Sequence, residues 1–217
     1  MIRVLVCDDH ALVRRGLRQI IEDAPDCRVV AEAADGPAAL RELARGGGID
    51  VVLLDIALPG RDGLDVLRQI RREYPSVAVL VISTYPENQY AVRCVQLGAA
   101  GYLHKSAEPA EFIAALRRTA GGGVHLSAAA AAALAEAART ADERPAHARL
   151  STREYQVFLA LAAGRTLTEI AQSLALSLST VSTYRARILE KLRAHNDVEI
   201  ALYAVRHRLL DGAAAPL

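Results

Sequence analysis

The sequence predicts a doubly wound parallel α/β unit followed by a small all-α domain, and three observations carry that prediction. Five short apolar runs alternate with amphipathic stretches across the first 122 residues, Gly121-Gly122-Gly123 and an alanine-rich segment interrupt the pattern, and from Leu150 onward helix-start signals recur without further strand-like runs. A chain of 217 residues has room for two such domains.

The strand-like runs are Ile2 to Cys7, Val29 to Glu32, Val51 to Leu54, Val77 to Ile82 and Gly101 to Leu103. With helices between them they imply a five-stranded parallel sheet over residues 1–122. Strands of such a sheet are covered on both faces, which explains why Val51 to Leu54 is continuously apolar and does not alternate. The ligand site is then expected beyond the strands' carboxyl ends. The segment 123–148, with Ala128 to Ala138 before Arg144, Pro145 and Ala146, reads as a partly helical linker, either a passive spacer or an element that docks the two domains.

Four short helices are predicted within 149–211. Ser151 with Glu154 and Thr166 with Glu169 match the capping box, Ser177 or Ser179 caps the third helix, and Asn196 with Glu199 the fourth. Tyr155, Phe158, Leu159 and Ala162, then Ile170 and Leu174, then Val181, Tyr184, Ile188 and Leu192, then Val198, Leu202 and Val205 recur at helical spacing and are assigned to one core. Residues 212–217, Gly212 with an Ala-Ala-Ala-Pro run, read as a disordered tail.

A formal net charge of +1 gives no global signal for nucleic acid or membrane, but the charge is unevenly spread. Residues 1–122 carry 15 Lys and Arg against 16 Asp and Glu, whereas 149–217 carry 9 against 6, a local excess of +3. Cys7, Cys27 and Cys94 are odd in number and fit no metal-ligand spacing, so they read as reduced, buried thiols of a cytoplasmic protein. No apolar stretch reaches the roughly 18 residues of a membrane span, and a soluble, unprocessed chain with no membrane partner is expected.

Asp8 and Asp9 directly follow the first apolar run and Asp55 follows the third. In a parallel sheet these positions converge, and three crowded carboxylates would raise one another's pKa. A hard divalent cation such as Mg2+, taking oxygen ligands and water, relieves that repulsion. The next two runs end in Ser83-Thr84 and in His104-Lys105, so a carboxylate nucleophile, a metal site, a hydroxyl and an ammonium gather as the parts that accept a phosphoryl group.

The strings Val6-Cys7-Asp8-Asp9, Leu54 to Gly63, Ile82-Ser83-Thr84 and Gly101-Tyr102-Leu103-His104-Lys105 resemble the receiver domains of two-component response regulators, a flavodoxin-like fold. The resemblance covers about 120 residues. It implies that Asp55 is the phosphoacceptor for a cognate sensor histidine kinase. Asp8, Asp9, Asp55 and the main-chain carbonyl of Ala57 would hold Mg2+. Ser83, with Thr84 beside it, and Lys105 would bind the phosphoryl oxygens, and Tyr102 would be the switch aromatic. Ser106 stands where many receivers carry proline.

Leu150-Ser151-Thr152-Arg153-Glu154, Gly164, Glu169-Ile170-Ala171, Leu176-Ser177, Ser179-Thr180-Val181 and Leu189-Glu190-Lys191-Leu192 resemble the LuxR-type helix-turn-helix domain of the NarL/FixJ subfamily. On its third helix Val181, Ile188 and Leu192 are expected inside, leaving Ser182, Thr183, Arg185, Ala186 and Arg187 outside to meet a major groove. Thr168, Ser177, Ser179 and Thr180 near helix starts suit phosphate contacts, and Lys191 is a further candidate. Several relatives place lysines where Ser182 and Ala186 stand. The implied partners are the kinase, promoter DNA and, once phosphorylated, a second copy of the chain, the dimer spanning half-sites about 34 to 36 Å apart.

Two other classes fit the residues less well. An aspartyl-phosphate hydrolase would need a second aspartate two residues after the nucleophile, where Ala57 stands. A flavin-binding protein of similar topology would set its cofactor phosphate against Asp8 and Asp9. The receiver is therefore expected to catalyse only its own aspartyl phosphorylation and dephosphorylation.

Overall fold

The computed structural model describes residues 1–58, 62–85, 87–139, 145–174, 176–207 and 209–210. Pro59, Gly60 and Arg61 of the acidic-site string, Arg144 of the linker, Asp211 and the tail 212–217 lie outside the described residues. The chain forms two compact units, Met1–Thr140 and Ala141–Leu217.

The first unit has five strands, β1 (Ile2–Cys7), β2 (Cys27–Ala33), β3 (Val51–Asp55), β4 (Ala78–Ser83) and β5 (Gly101–His104), in the order β2-β1-β3-β4-β5 with every pairing parallel. Helices α1 (Ala11–Glu22), α2 (Gly36–Ala44), α3 (Gly63–Glu73), α4 (Glu87–Gln96) and α5 (Pro109–Ala120) make the connections. All five residues of β3 are buried, as a central strand covered on both faces requires. One face of the sheet packs Val4, Val6, Val51, Leu53, Leu80 and Ile82 against Leu17 and Ile21 of α1 and Phe112 and Leu116 of α5. Local chemistry places the helix starts: Asp35 accepts the Ala38 amide hydrogen at the head of α2, Asp62 accepts that of Leu64 at the head of α3, and Pro109 opens α5.

The alanine-rich segment is a helix, α6 (Ala128–Arg139), and the division between units at 140–141 leaves it with the sheet. It packs on α4, with Ala130 fully buried. The residues leading into it join the sheet: the His125 amide donates to the Ala100 carbonyl at 2.9 Å and the Tyr102 amide to the His125 carbonyl at 3.2 Å, a parallel bridge beside β5. Gly101 permits this approach, because a Cβ there would sit 2.8 Å from both the His125 carbonyl oxygen and a Leu80 methyl.

The second unit opens with a 3-10 turn (Ala146–Arg149), followed by α7 (Thr152–Ala162), α8 (Leu167–Ser173), α9 (Leu178–Leu192) and α10 (Asp197–Arg206). Both expected capping boxes form, Ser151 with Glu154 and Thr166 with Glu169; Ser177 caps α9 and Asn196 caps α10. Helix α9 stops where Arg193 turns left-handed at φ 54°.

Helix α10 departs from expectation. Val198, Leu202 and Val205 are exposed by 67%, 52% and 62%, while Ile200 and Ala204 are buried. The helix carries apolar residues on two faces, and the Tyr203 hydroxyl, which accepts the His147 amide hydrogen at 3.2 Å, turns the Ile200–Ala204 face inward. Leu159, Leu174 and Tyr184 are half-buried at the edge of the same core.

Beneath this core the buried Glu154 carboxylate accepts from the Ser151 amide at 2.7 Å and meets the Lys191 ammonium at 2.5 Å, tying α7 to α9. Burial pushes this carboxyl up, but Lys191 and the Ser151 amide outweigh it and hold it below its usual range. The pair therefore stabilises the fold above the carboxyl's unfolded-state pKa, and the contribution fades as pH falls through the lowered folded value. Lys191→Ala should cost about 1 to 3 kcal/mol, less than a fully buried pair because the ammonium is part exposed. Urea unfolding at neutral and acidic pH checks this, with the gap between variant and wild type narrowing in acid.

Candidate functional site

The strand order sets the carboxyl ends of β1 and β3 side by side, and at that edge Asp8 and Asp55 are both buried, at 0% and 1% exposure. The Lys105 ammonium, just beyond β5, lies 2.6 Å from Asp8 Oδ2 and 2.7 Å from Asp55 Oδ2. The other Asp55 oxygen accepts the Ala57 amide hydrogen at 2.9 Å. Burial pushes the Asp55 carboxyl up, against the opposing pull of Lys105 and the Ala57 amide. Burial alone would lower Lys105, but Asp55 and Asp8 more than offset it and hold the ammonium above its ordinary value. The result is a buried carboxylate beside a fixed positive charge, which suits a nucleophile whose product is an anion.

A divalent cation fits this set. Ligating atoms of Asp8, Asp9, His10 and Asp55 all lie within 4.8 Å of one another. Asp9 Oδ1 is buried and receives no hydrogen bond, and Asp8 Oδ2 is buried with the Lys105 ammonium at 2.6 Å as its neighbour. Carboxylate oxygens left short of donors in a buried pocket match a hard cation that takes oxygen ligands.

Ser83, at the end of β4, is fully buried, and its hydroxyl oxygen accepts the Tyr85 amide hydrogen at 3.1 Å. Thr84 is exposed, and its carbonyl accepts from His104 Nε2 at 3.0 Å. Tyr102 is buried and donates its hydroxyl hydrogen to the Tyr85 carbonyl at 2.8 Å, which ties β5 to the loop after β4. Burial is also the main reason its phenol is pushed well above its ordinary pKa.

In the helical unit, α8 and α9 form the helix pair joined by Leu174 to Ser177. Val181, Ile188 and Leu192 of α9 are buried as expected, and Ser179, Ser182, Thr183, Ala186 and Arg187 are exposed together with Thr168 and Ser177. The Ser177 hydroxyl gathers the Ser179 and Thr180 hydroxyls at 2.8 and 2.7 Å, with Thr180 half-buried. Two cations expected on the outer face are otherwise engaged. Arg185 is half-buried and donates to Asp197 at 2.8 and 3.1 Å, and Lys191 serves Glu154.

Residues 4–117 match the response regulator receiver domain family, and residues 148–204 match the LuxR family of bacterial regulatory proteins. The chain belongs to the NarL/FixJ-type response regulators. It is thus a DNA-binding regulator of a two-component system. It is 40% identical to the response regulator UvrY of Escherichia coli K12 over 211 residues, covering 96% of each chain. It is also 40% identical to GacA of Pseudomonas aeruginosa over 215 residues, covering 99% of this chain and all of the other. Among solved structures it is similar to ChrA of a heme-sensing two-component system (35% identity, TM-score 0.52, 96% of this chain and 98% of that one). It is also similar to RcsB of Salmonella enterica serovar Typhimurium bound to the P1flhDC promoter with phosphomimetic BeF3- (26% identity, TM-score 0.58, 93% and 97%). Among the described residues no helix is long and apolar enough to cross a membrane.

Around this response regulator's acidic pocket the structure adds residues that sequence reasoning missed. His10 joins the carboxylate group, and a signal was present in its position directly after Asp8-Asp9. Arg14, one helical turn further, donates to the Asp8 carbonyl at 2.7 Å and faces Glu32 at 3.4 Å; nothing in its spacing distinguishes it from a surface arginine. Gly63 supports the receiver pocket from below, since a Cβ there would lie 2.5 Å from Ile56 Cα and 2.7 Å from the Asp55 carbonyl oxygen. Gly63→Ala should displace that backbone and lower stability by about 1 to 3 kcal/mol. Hydrogen exchange of the Ala57 amide checks the local effect; it should quicken more than exchange at the centre of β1.

Proposed function

We propose that Asp55 accepts a phosphoryl group from a sensor histidine kinase and that the modification raises the affinity of the C-terminal domain for promoter DNA. The observation that supports this best is Asp55 itself, buried at the end of β3, with Lys105 at 2.7 Å and Asp8 and Asp9 in the same pocket. In the reaction Asp55 bonds to phosphorus while the bond to the donor's leaving group breaks, and Lys105 turns from carboxylate to phosphoryl oxygen. Asp8, Asp9, Asp55 and the Ala57 carbonyl would hold a divalent cation, which when bound would neutralise charge on the phosphoryl oxygens. The Ser83 hydroxyl, now occupied by the Tyr85 amide, is placed to follow the phosphoryl group.

The aspartyl phosphate adds about 1 to 2 negative charges and new acceptor oxygens. A shift of Ser83 and Lys105 toward them pulls on the ends of β4 and β5, and the Tyr102 hydroxyl bond to Tyr85 carries that pull into the β4–α4 loop. The chemistry stops at the receiver's own phosphorylation and hydrolysis, because Ala57 supplies no general acid. The three buried free cysteines favour a cytoplasmic setting. A homodimer fits the exposed Val198, Leu202 and Val205 of α10, three apolar residues at helical spacing.

Asp55→Asn should abolish labelling by acetyl phosphate with Mg2+, and the donor should tighten gel-shift binding to genomic fragments in wild type only. Equal binding by both proteins would leave DNA binding intact and remove Asp55 as its control. On α9, Arg187→Ala should weaken DNA binding and reduce the slope of log affinity against log salt by about 1. Arg185→Ala should act through loss of its Asp197 pair and so lower the unfolding midpoint as well, which thermal melts beside the salt titration distinguish.

A further inference from the structure

His10 stands at the mouth of the acidic pocket, its side chain 67% exposed, and heads α1 without making a side-chain capping bond. Its main-chain amide donates to Asp8 Oδ1 at 2.8 Å, which fixes the backbone at the pocket rim. Its imidazole Nδ1 lies 2.8 Å from Asp9 Oδ1 and 3.4 Å from Asp8 Oδ1. Asp9 Oδ1 nevertheless receives no hydrogen bond, so the ring nitrogen is close to the carboxylate but off the line of an N–H donor.

Two donor atoms that close, not hydrogen-bonded to each other, have the relation of neighbouring ligands of one ion. Around a cation with bonds of about 2.1 Å, ligands at right angles sit about 3 Å apart and opposite ligands about 4.2 Å apart. The distances of 2.8 and 3.4 Å lie either side of the right-angle spacing, and the whole set, contained within 4.8 Å, has to draw in by about half an ångström to close on one ion. A nitrogen in an otherwise all-oxygen set also changes which ion the set prefers. Carboxylates alone suit Mg2+, whereas imidazole adds affinity for first-row transition metals and offers Mg2+ little.

We propose that His10 is a metal ligand of the receiver pocket through Nδ1, and that it biases the pocket toward Mn2+ and the later divalent transition metals relative to Mg2+. This rests on the phosphoacceptor reading above only in taking Asp8, Asp9 and Asp55 as the cation site. The competing account is that the imidazole merely lies against Asp9, in which case its removal leaves metal preference untouched.

The test loads full-length protein with Mn2+ in mildly alkaline buffer and records electron spin echo envelope modulation, which detects nitrogen bonded to the ion. Dissociation constants for Mn2+ and Mg2+ are measured by calorimetry on wild type, His10→Ala and Asp9→Asn, with circular dichroism to establish that each variant is folded. Wild type should show nitrogen coupling that His10→Ala loses. In that variant the preference for Mn2+ over Mg2+, taken as the ratio of dissociation constants, should fall about tenfold or more. Absence of nitrogen coupling in wild type, its persistence in His10→Ala, or an unchanged ratio would overturn the assignment. If Asp9→Asn still abolishes binding in that case, the carboxylate site stands without His10. Mn2+ binding that survives Asp9→Asn at full strength would overturn both.

Discussion

One ammonium between two buried carboxylates sets the terms for the first unit. Lys105 reaches in from the end of β5 to Asp8 at the end of β1 and Asp55 at the end of β3, at 2.6 and 2.7 Å. Both carboxylates are 0 to 1% exposed, and burial pushes Asp55 up against the opposing pull of the lysine. The geometry depends on strand order, since β1 and β3 are hydrogen-bonded neighbours and β5 is two places from β3. Any event that takes Lys105 from Asp55 alters the balance of charge at three strand ends together. At the far edge of the sheet Tyr102 is bonded to the loop after β4.

Much of this was legible in the sequence because it follows from local rules. The strand centres, the two capping boxes and the convergence of Asp8, Asp9, Asp55, Ser83 and Lys105 come from periodicity, reciprocal hydrogen bonding and the geometry of parallel sheets. What escaped is what tertiary context decides. Helix α10 has two apolar stripes of comparable length, and periodicity cannot say which is buried; the Tyr203 hydroxyl bond to His147 resolves it in favour of Ile200 and Ala204. Arg185 and Lys191 read as outward cations because their partners, Asp197 and Glu154, are 12 and 37 residues away in the chain. An ion pair over such separations leaves no pattern for a sequence window to detect.

Two of the second unit's cations serve to hold its helices together. With Arg185 and Lys191 engaged, the exposed face of α9 is mainly hydroxyl and methyl, from Ser179, Ser182, Thr183 and Ala186, with Arg187 as a charged member. Such a face offers short hydrogen bonds and methyl contacts more than long-range attraction.

The bridge between His125 and Gly101 bears on where the first unit ends. The triple glycine at 121–123 looks like a boundary, and composition alone would divide the chain there. Yet the bridge from His125 to β5 comes two residues later, and α6 lies on α4. A fragment cut at the glycines would bare the Ala100 carbonyl and the Tyr102 amide and present a raw sheet edge at Tyr102. An isolated receiver carried through α6 keeps that edge sealed, so the length of the fragment decides whether its self-association reflects the whole protein or the knife.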